Sequence, residues 1–512
     1  MRVFDLAIPQ QLTAALVPDL LLMGGAMALL LWAVWRRESA AHQRSVGVLS
    51  IGLCVATLIA VSLMMTQRGV ATDGPIAVDN FRWMADIVIL LGTIGALALG
   101  IDDNDRAGTT TAETHVLFLL AASGMMLLAA ARDLMIVFLG IELMSVSSYA
   151  LAGLNRRSAR SAEGALKYFL LGAFSTAFLL YGIALVYGAT GTTSLHQIGQ
   201  RILENDLFTS PLLLIGIALL LVGFGFKVSS VPFHMWAPDV YDGSPSPVTA
   251  FFAATVKAAS FTVFLRVWLE AFSGEFSSWH KAVVGLAIAT MVVGNAIGLV
   301  QRNIKRLLAY SSIAHAGFIL VAVAAGTTQG ASAMLFYLLA YTLATFGAFA
   351  VIVVLSRGDE PVTTDDISGL WSVRPWLALS MAVFMFALMG FPVVGGVGFF
   401  AKWFVLKAAL QAPEPQTLLA VVLVLTTVIS AGYYLYLIMV MFMRPRRDDA
   451  PVVAATPGWT RFVMMATAAA ILILGLVPDY AVRYANVGMP VLTAPSGAAK
   501  ITAVQPTAAP VR

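Results

Sequence analysis

Apolar residues run along this chain in blocks of about twenty, the length that carries an α-helix once across a bilayer, with short polar segments between them. Fourteen such blocks are read from the pattern. The first seven lie near 17–35, 46–66, 82–101, 114–131, 133–154, 163–189 and 211–232. The second seven lie near 247–272, 281–300, 306–326, 331–356, 376–410, 416–443 and 460–478. The pattern predicts an all-α polytopic membrane protein. The first block, Val17 to Trp35, is too long for a signal-peptide core and has no basic region before it, so it is expected to be retained as a span. The tail after about Val487, rich in Ala, Pro and Thr, is expected to be disordered.

Two blocks carry residues that interrupt a helix, and they lie five spans apart. In span seven, Gly223 to His234 reads GFGFKVSSVPFH, where Pro232 withholds a backbone donor. In span twelve, Gly390 to Lys402 reads GFPVVGGVGFFAK, with Pro392 among four glycines. Unwound backbone at membrane depth is tolerated only where protein or a watery cavity solvates it, and paired interruptions point to inverted repeats with a transport site between them. Spans four to eight and nine to thirteen are the expected five-helix repeats, each crossing an odd number of times. The expected segments are 1–113 (three N-terminal helices), 114–273 and 274–444 (the repeats), 445–487 (a last helix) and 488–512 (the tail).

Composition supports the membrane reading: 59% of the 512 residues are hydrophobic and 11% charged, with a mean hydropathy of +0.87. A net charge of +4 does not signal nucleic acid, because the basic residues lie between apolar blocks rather than in an aromatic-interleaved stripe. Arg36, Arg37 and Arg44, then Arg156, Arg157 and Arg160, then Arg302, Lys305 and Arg306, then Arg444, Arg446 and Arg447 all follow odd-numbered spans. Those loops are expected in the cytoplasm and both termini in the periplasm. The loop after span three dissents weakly, since Asp102, Asp103 and Asp105 outnumber Arg106. A single cysteine, Cys54, excludes intrachain disulfides and cysteine-ligated clusters. Phosphate-binding loops, metal-ligand histidine spacing and paired haem histidines are absent from the sequence.

Five of the eight lysines, Lys167, Lys227, Lys257, Lys402 and Lys407, fall inside apolar blocks. A charge near mid-bilayer carries a penalty of about 2.5 to 3.5 kcal/mol on insertion scales, so such groups usually face protein or a wet cavity. Lysine, unlike arginine, can give up its proton when desolvated. Glu142 lies about nine residues into span five, too deep to snorkel, and Lys227 beside the break of span seven is its first candidate partner. Lys257 is central in span eight with small or apolar neighbours, and Lys402 follows Pro392 as the counterpart in the second half. His315, in SSIAHAGF, reads either as a bridge between these groups or as a satisfied core histidine. Lys167, four residues after Glu163, reads equally as an interfacial ion pair. Lys407 reads as a snorkelling residue, and His234 as a proton entry point or a loop hydrogen bond. Arg266 and Glu270 read as a structural pair, and Asp86 is left open.

The run VSSVPFHMWAPDVYDGSPSPVTAFFAATVKAASF, with NIKRLLAYSSIAHAGF and GFPVVGGVGFFAKW, closely resembles the antiporter-like membrane subunits of respiratory complex I, NADH:quinone oxidoreductase. The resemblance covers essentially all fourteen spans and is to the bacterial N-type subunit rather than to the L or M types or to Mrp-type cation/proton antiporters. It implies a proton-translocating subunit with no redox centre of its own, NAD, FMN, iron–sulfur clusters and quinone residing in partner subunits. It implies membrane-arm subunits, M and K especially, and membrane lipids as neighbours, no nucleic acid, and the bacterial inner membrane as location. Glu142, Lys227, Lys257 and Lys402 match family positions on spans five, seven, eight and twelve, and Lys167 and His315 match further ones.

The mechanism expected is a switched ion pair: Glu142 approaches and leaves Lys227, and the proton passes toward Lys257, His315 and Lys402. Two rivals remain open at this stage. One is an autonomous Mrp-type monovalent cation/proton antiporter; the other is a structural subunit whose lysines only balance buried acids.

Overall fold

The computed structural model describes residues 3–478 apart from 37–38, 67–69, 72–73, 108–110, 359, 393–395 and 448–452. The tail expected after Val487 lies outside the described residues. Among the described residues, thirteen helices are long and apolar enough to cross a membrane. Seven make the first half: Val17–Trp35, Ala40–Thr66, Asn80–Arg106, Glu113–Ala130, Leu134–Ala152, Ala159–Thr190 and Pro211–Val228. Six more are Ser246–Glu270, Ser273–Gly298, Ile304–Ala324, Thr328–Leu355, Thr417–Met443 and Gly458–Leu476. The remaining expected span, the twelfth, is a pair of shorter helices, Pro375–Met389 and Gly396–Leu410. The chain is thus a multi-pass membrane protein.

Three differences from the sequence reading have local causes. Span two begins at Ala40 rather than 46, because its polar first turns are buried: His42 Nε2 lies 3.1 Å from Ala33 O and Gln43 lies 3.1 Å from His115 Nε2. Span seven stops at Val228, four residues short of its expected end. Span eight is helical throughout but carries a π turn at Phe252–Val256. Hydropathy also misses the short helices between spans. Leu195–Glu204 buries Leu195, Ile198 and Ile202, and Gly199 sits so close that a Cβ there would lie 2.9 Å from Glu270 O at the end of span eight.

Span four packs on span five through glycine, and span nine packs on span ten the same way. A Cβ on Gly124 would lie 2.6 Å from Met144 N and 3.0 Å from Gly140 O; one on Gly294 would lie 2.6 Å from Ala314 N. Lipid gives helices no hydrophobic reason to associate, so close backbone approach at small residues supplies the dispersion contact instead.

The loops after odd-numbered spans converge on one face. Arg306 meets Asp239 at 2.8 Å, Lys305 donates to Ser244 O at 2.8 Å, and Arg446 donates to Asp366 O at 2.7 Å. The dissenting acids belong to this same face, and two of them are engaged there. Asp105 pairs with Arg44 at 2.6 Å, and Asp102 accepts from Thr460 N at 2.6 Å and Thr460 Oγ1 at 2.8 Å at the start of span fourteen. A carboxylate at a helix N-terminus is favoured by the helix dipole, which explains acids in an otherwise basic rim. Replacing Gly124 by Val should overpack the contact between spans four and five, costing about 1–3 kcal/mol. The expected outcome is a lowered thermal midpoint of the detergent-solubilised protein; an unchanged midpoint would show that the two helices are free to separate.

Candidate functional site

The break after Val228 is built from side chains that satisfy the freed backbone. Ser229 adopts φ 58° and ends the helix. Gly225 O accepts from Ser230 N at 2.9 Å, and Phe226 O accepts from Ser229 N at 3.1 Å and from the Trp236 indole at 3.0 Å. Val231 N donates to Thr290 Oγ1 of span nine at 2.9 Å. Trp236 opens the short helix Trp236–Gly243 and stacks on Tyr168 of span six with ring centroids 4.6 Å apart. This packing holds Lys227, in the last turn before the break, inside the protein.

Lys227, Lys257 and Lys402 are 3%, 1% and 6% exposed, and among the described residues no carboxylate lies within 4.0 Å of any of them. Each ammonium is instead held by neutral oxygens. Lys227 donates to Ser145 Oγ of span five at 2.7 Å. Lys257, which follows the π turn directly, donates to Ser312 O at 2.8 Å and Ser312 Oγ at 2.6 Å on span ten. Lys402 donates to Met389 O at 2.8 Å. Met389 is the last residue of the first half of span twelve, ended by Gly390 at φ 84°. The ammonium thus sits on the negative end of a half-helix dipole, with the Phe318 ring 4.8 Å away.

Glu142 is placed differently from the contact pair the sequence suggested. It is half-buried, on the stripe of span five that carries the exposed Met135, Leu139 and Val146, and among the described residues it makes no ion pair within 4.0 Å. Ser145, one turn further on the same helix, receives Lys227 in its place. Residues three apart are offset by about 60° around a helix, and here the hydroxyl is the one turned inward while Glu142 is half-buried.

His315 lies one turn beyond Ser312, buried among hydroxyls. Its Nδ1 is 2.6 Å from Tyr337 Oη and its Nε2 3.1 Å from Tyr434 Oη; Tyr434 Oη in turn bonds Ser311 Oγ. A hydroxyl donates or accepts by rotating one proton, so this network can reverse direction without moving a heavy atom. His315 and Lys402 line one cavity together with Tyr337, Tyr341 and Gly398. A second cavity shares Tyr341 and Leu388 with it and reaches Ser311 and Thr345.

The remaining candidates stand apart from this series. Lys167 lies at the basic rim, 2.7 Å from Glu163 and 2.7 Å from Asp239, which also receives Arg306. Lys407 is exposed on the second half of span twelve. His234 sits half-buried in the turn after span seven with Nδ1 unpartnered; burial, and then the Lys257 charge, push it below the ordinary imidazole range against the Pro232 backbone. Arg266 and Glu270 meet at 2.9 Å as expected. Sequence reasoning missed Ser145, Ser312, Tyr337, Tyr434 and Asp239. Only Ser312 left a signal, three residues before His315 and hence on its face.

In sequence and fold the chain is similar to known proteins. Residues 131–430 match the family described as NADH:quinone oxidoreductase/Mrp antiporter, TM. Subunit N of NADH-quinone oxidoreductase from Gemmatimonas aurantiaca is 52% identical over 474 residues, covering 91% of each chain. The same subunit of Trichlorobacter lovleyi is 42% identical over 483 residues, 92% of this chain and 96% of that one. A chain of respiratory complex I from Thermus thermophilus superposes with a TM-score of 0.78 at 35% identity, over 92% of this chain and 100% of that one. A chain of the Mrp complex from Dietzia shares the fold, with a TM-score of 0.78 at 20% identity over 92% of this chain and 97% of that one. The chain therefore belongs to the antiporter-like membrane-subunit family of NADH:quinone oxidoreductase. Within that family its relatives at 52% and 42% identity are subunits N of bacterial enzymes, and it groups with them.

Asp239 yields a prediction outside the membrane spans. Burial alone would raise its carboxyl, but the hydrogen bonds from Lys167 and Arg306 outweigh that and hold it below the ordinary carboxylate range. Its stabilising contribution is complete above the unfolded-chain value of about 3.9 and is lost as pH falls through the lower folded value. Asp239→Asn should lower stability at neutral pH and flatten the acid limb of the pH–stability curve; an unaltered acid limb would contradict this.

Proposed function

We propose that Lys227, Lys257, His315 and Lys402 form the proton relay of an N-type subunit of NADH:quinone oxidoreductase, with Glu142 as the counter-ion that modulates it. One observation carries the reading: three deeply buried ammonium groups rest on serine and backbone oxygens instead of carboxylates. A lysine locked to a buried carboxylate would leave an uncompensated charge on losing its proton, a strongly unfavourable step. A lysine on neutral oxygens leaves none. Lys167, beside Asp239 at the rim, and His234, in the turn after span seven, are the proposed points of proton entry from the basic face; Lys407, exposed on span twelve, is left out of the proposed path.

Energy is adequate on elementary grounds. Moving one charge against 100 mV requires about 2.3 kcal/mol. At an effective dielectric constant of about 20, drawing a carboxylate from ~4 to ~8 Å from an ammonium weakens their attraction from about 4 to about 2 kcal/mol. A displacement of Glu142 on that scale matches the need, with quinone reduction in the peripheral part of the enzyme as driver. The redox groups (NAD, FMN, iron–sulfur clusters and quinone) belong to partner subunits, and M and K are the proposed membrane neighbours.

The basic face is proposed as cytoplasmic, which sets both termini in the periplasm of a bacterial inner membrane. Segments 114–273 and 274–444 are proposed as inverted repeats. Two recurrences support this: the glycine-mediated packing of spans four on five and nine on ten, and the breaks of spans seven and twelve.

Lys257→Met and Lys402→Met, assembled into the enzyme in inside-out vesicles, should each sharply reduce protons moved per NADH oxidised. Full pumping in both variants would leave only the structural reading. Cation/proton exchange by the purified chain alone in liposomes would favour the antiporter reading instead.

A further inference from the structure

On the face opposite the arginine-rich rim, seven ionisable side chains are gathered out of water: Asp19, Asp79, Arg82, Asp86, Arg132, Arg266 and Glu270. They come from span one, the start of span three, the link between spans four and five, and the end of span eight. Arg266 grips Asp79 with two nitrogens, at 2.9 and 3.0 Å, and Glu270 at 2.9 Å; Arg132 reaches Glu270 at 3.0 Å. Arg82 bonds Asp19 through one terminal nitrogen and Ala77 O at 2.8 Å through the other, and stacks on the Trp83 ring at 4.3 Å.

Two features single out Asp86. Three guanidinium groups face four carboxyls, so full ionisation leaves one negative charge in excess in a region that penalises net charge. Asp86 is also the carboxyl that the guanidinium groups hold most loosely. It is 0% exposed, neither oxygen has a well-formed hydrogen bond among the described residues, and its nearest cation there, Arg82 Nε, stands 3.5 Å away. The charged groups acting on it are Arg82 on its own helix, Asp19 from span one and Asp79 from the turn before span three, with Arg266 of span eight behind Asp79. Two like charges therefore face it.

We propose that Asp86 is a proton-binding site, its carboxyl holding the proton that makes this seven-membered cluster electrically neutral. The site lies toward the opposite face from the basic rim, on a helix that packs on the π turn before Lys257. A Cβ on Gly92 of span three would meet Thr255 Oγ1 at 2.2 Å. The proposal stands on the cluster alone and does not need the relay roles assigned above.

The test is infrared spectroscopy of the assembled enzyme in the carboxylic-acid C=O region, in H2O and D2O, for the native protein, D86N and D86E. The native protein should show a deuterium-sensitive band that is lost in D86N and displaced in D86E. Superimposable native and D86N spectra in that region would overturn the proposal. So would failure of D86N to assemble, because an amide reproduces the shape and neutrality of the protonated acid but not the charge of the carboxylate.

Discussion

Every backbone polar group at membrane depth must find its partner within the protein, and this requirement organises the whole molecule. Twelve of the spans meet it by being continuous helices. The two interrupted ones meet it with named side chains: the Trp236 indole on Phe226 O, Ser230 on Gly225 O, Thr290 on Val231 N, and Lys402 on Met389 O. In span twelve the group that closes the break is also the group proposed to carry the proton. Fold and function there use the same hydrogen bond, so the lysine's protonation state and the half-helix end act on each other directly.

The two faces treat charge in different ways. On the basic rim, acids and bases are partly solvated, and Asp239 accepts from Lys167 on span six and Arg306 on span ten, tying the two halves together. On the opposite face the ions are dry, and the two-nitrogen grip of Arg266 on Asp79 fixes the start of span three against the end of span eight. Between the faces lies a third environment, of ammonium groups, tyrosines and serines without contact carboxylates. Strong pairing gives rigidity, whereas neutral hydroxyl partners leave a proton free to be exchanged.

The π turn at Phe252–Val256 belongs to the same logic. Inserting one residue into a helix re-aims the side chain that follows, and such turns recur at functional sites. Here it precedes Lys257, whose ammonium reaches across to Ser312 one turn before His315. Lys402 of span twelve lines the same cavity as His315. The histidine therefore sits where the two halves meet, although its immediate partners are tyrosines.

Chain chemistry alone determined the number and order of the spans, the two interruptions, the basic rim and the buried position of the three central lysines. Each rests on composition within one segment, and burial in lipid or protein leaves that mark directly. The seven-residue turn and short helix after Val228, the amphipathic helix at Leu195–Glu204 and the early start of span two escaped, because short helices stabilised by one stacked indole or two buried polar contacts leave no long apolar run. Pairings were decided only by tertiary structure. Glu142 and Lys227 looked like partners by depth, but helix rotation turned Ser145 to the lysine and Glu142 toward the surface. Asp86, left open by its sequence, lies within an ionic cluster drawn from four segments. Depth follows from position along one helix; what a side chain touches depends on how all the helices are rotated against one another.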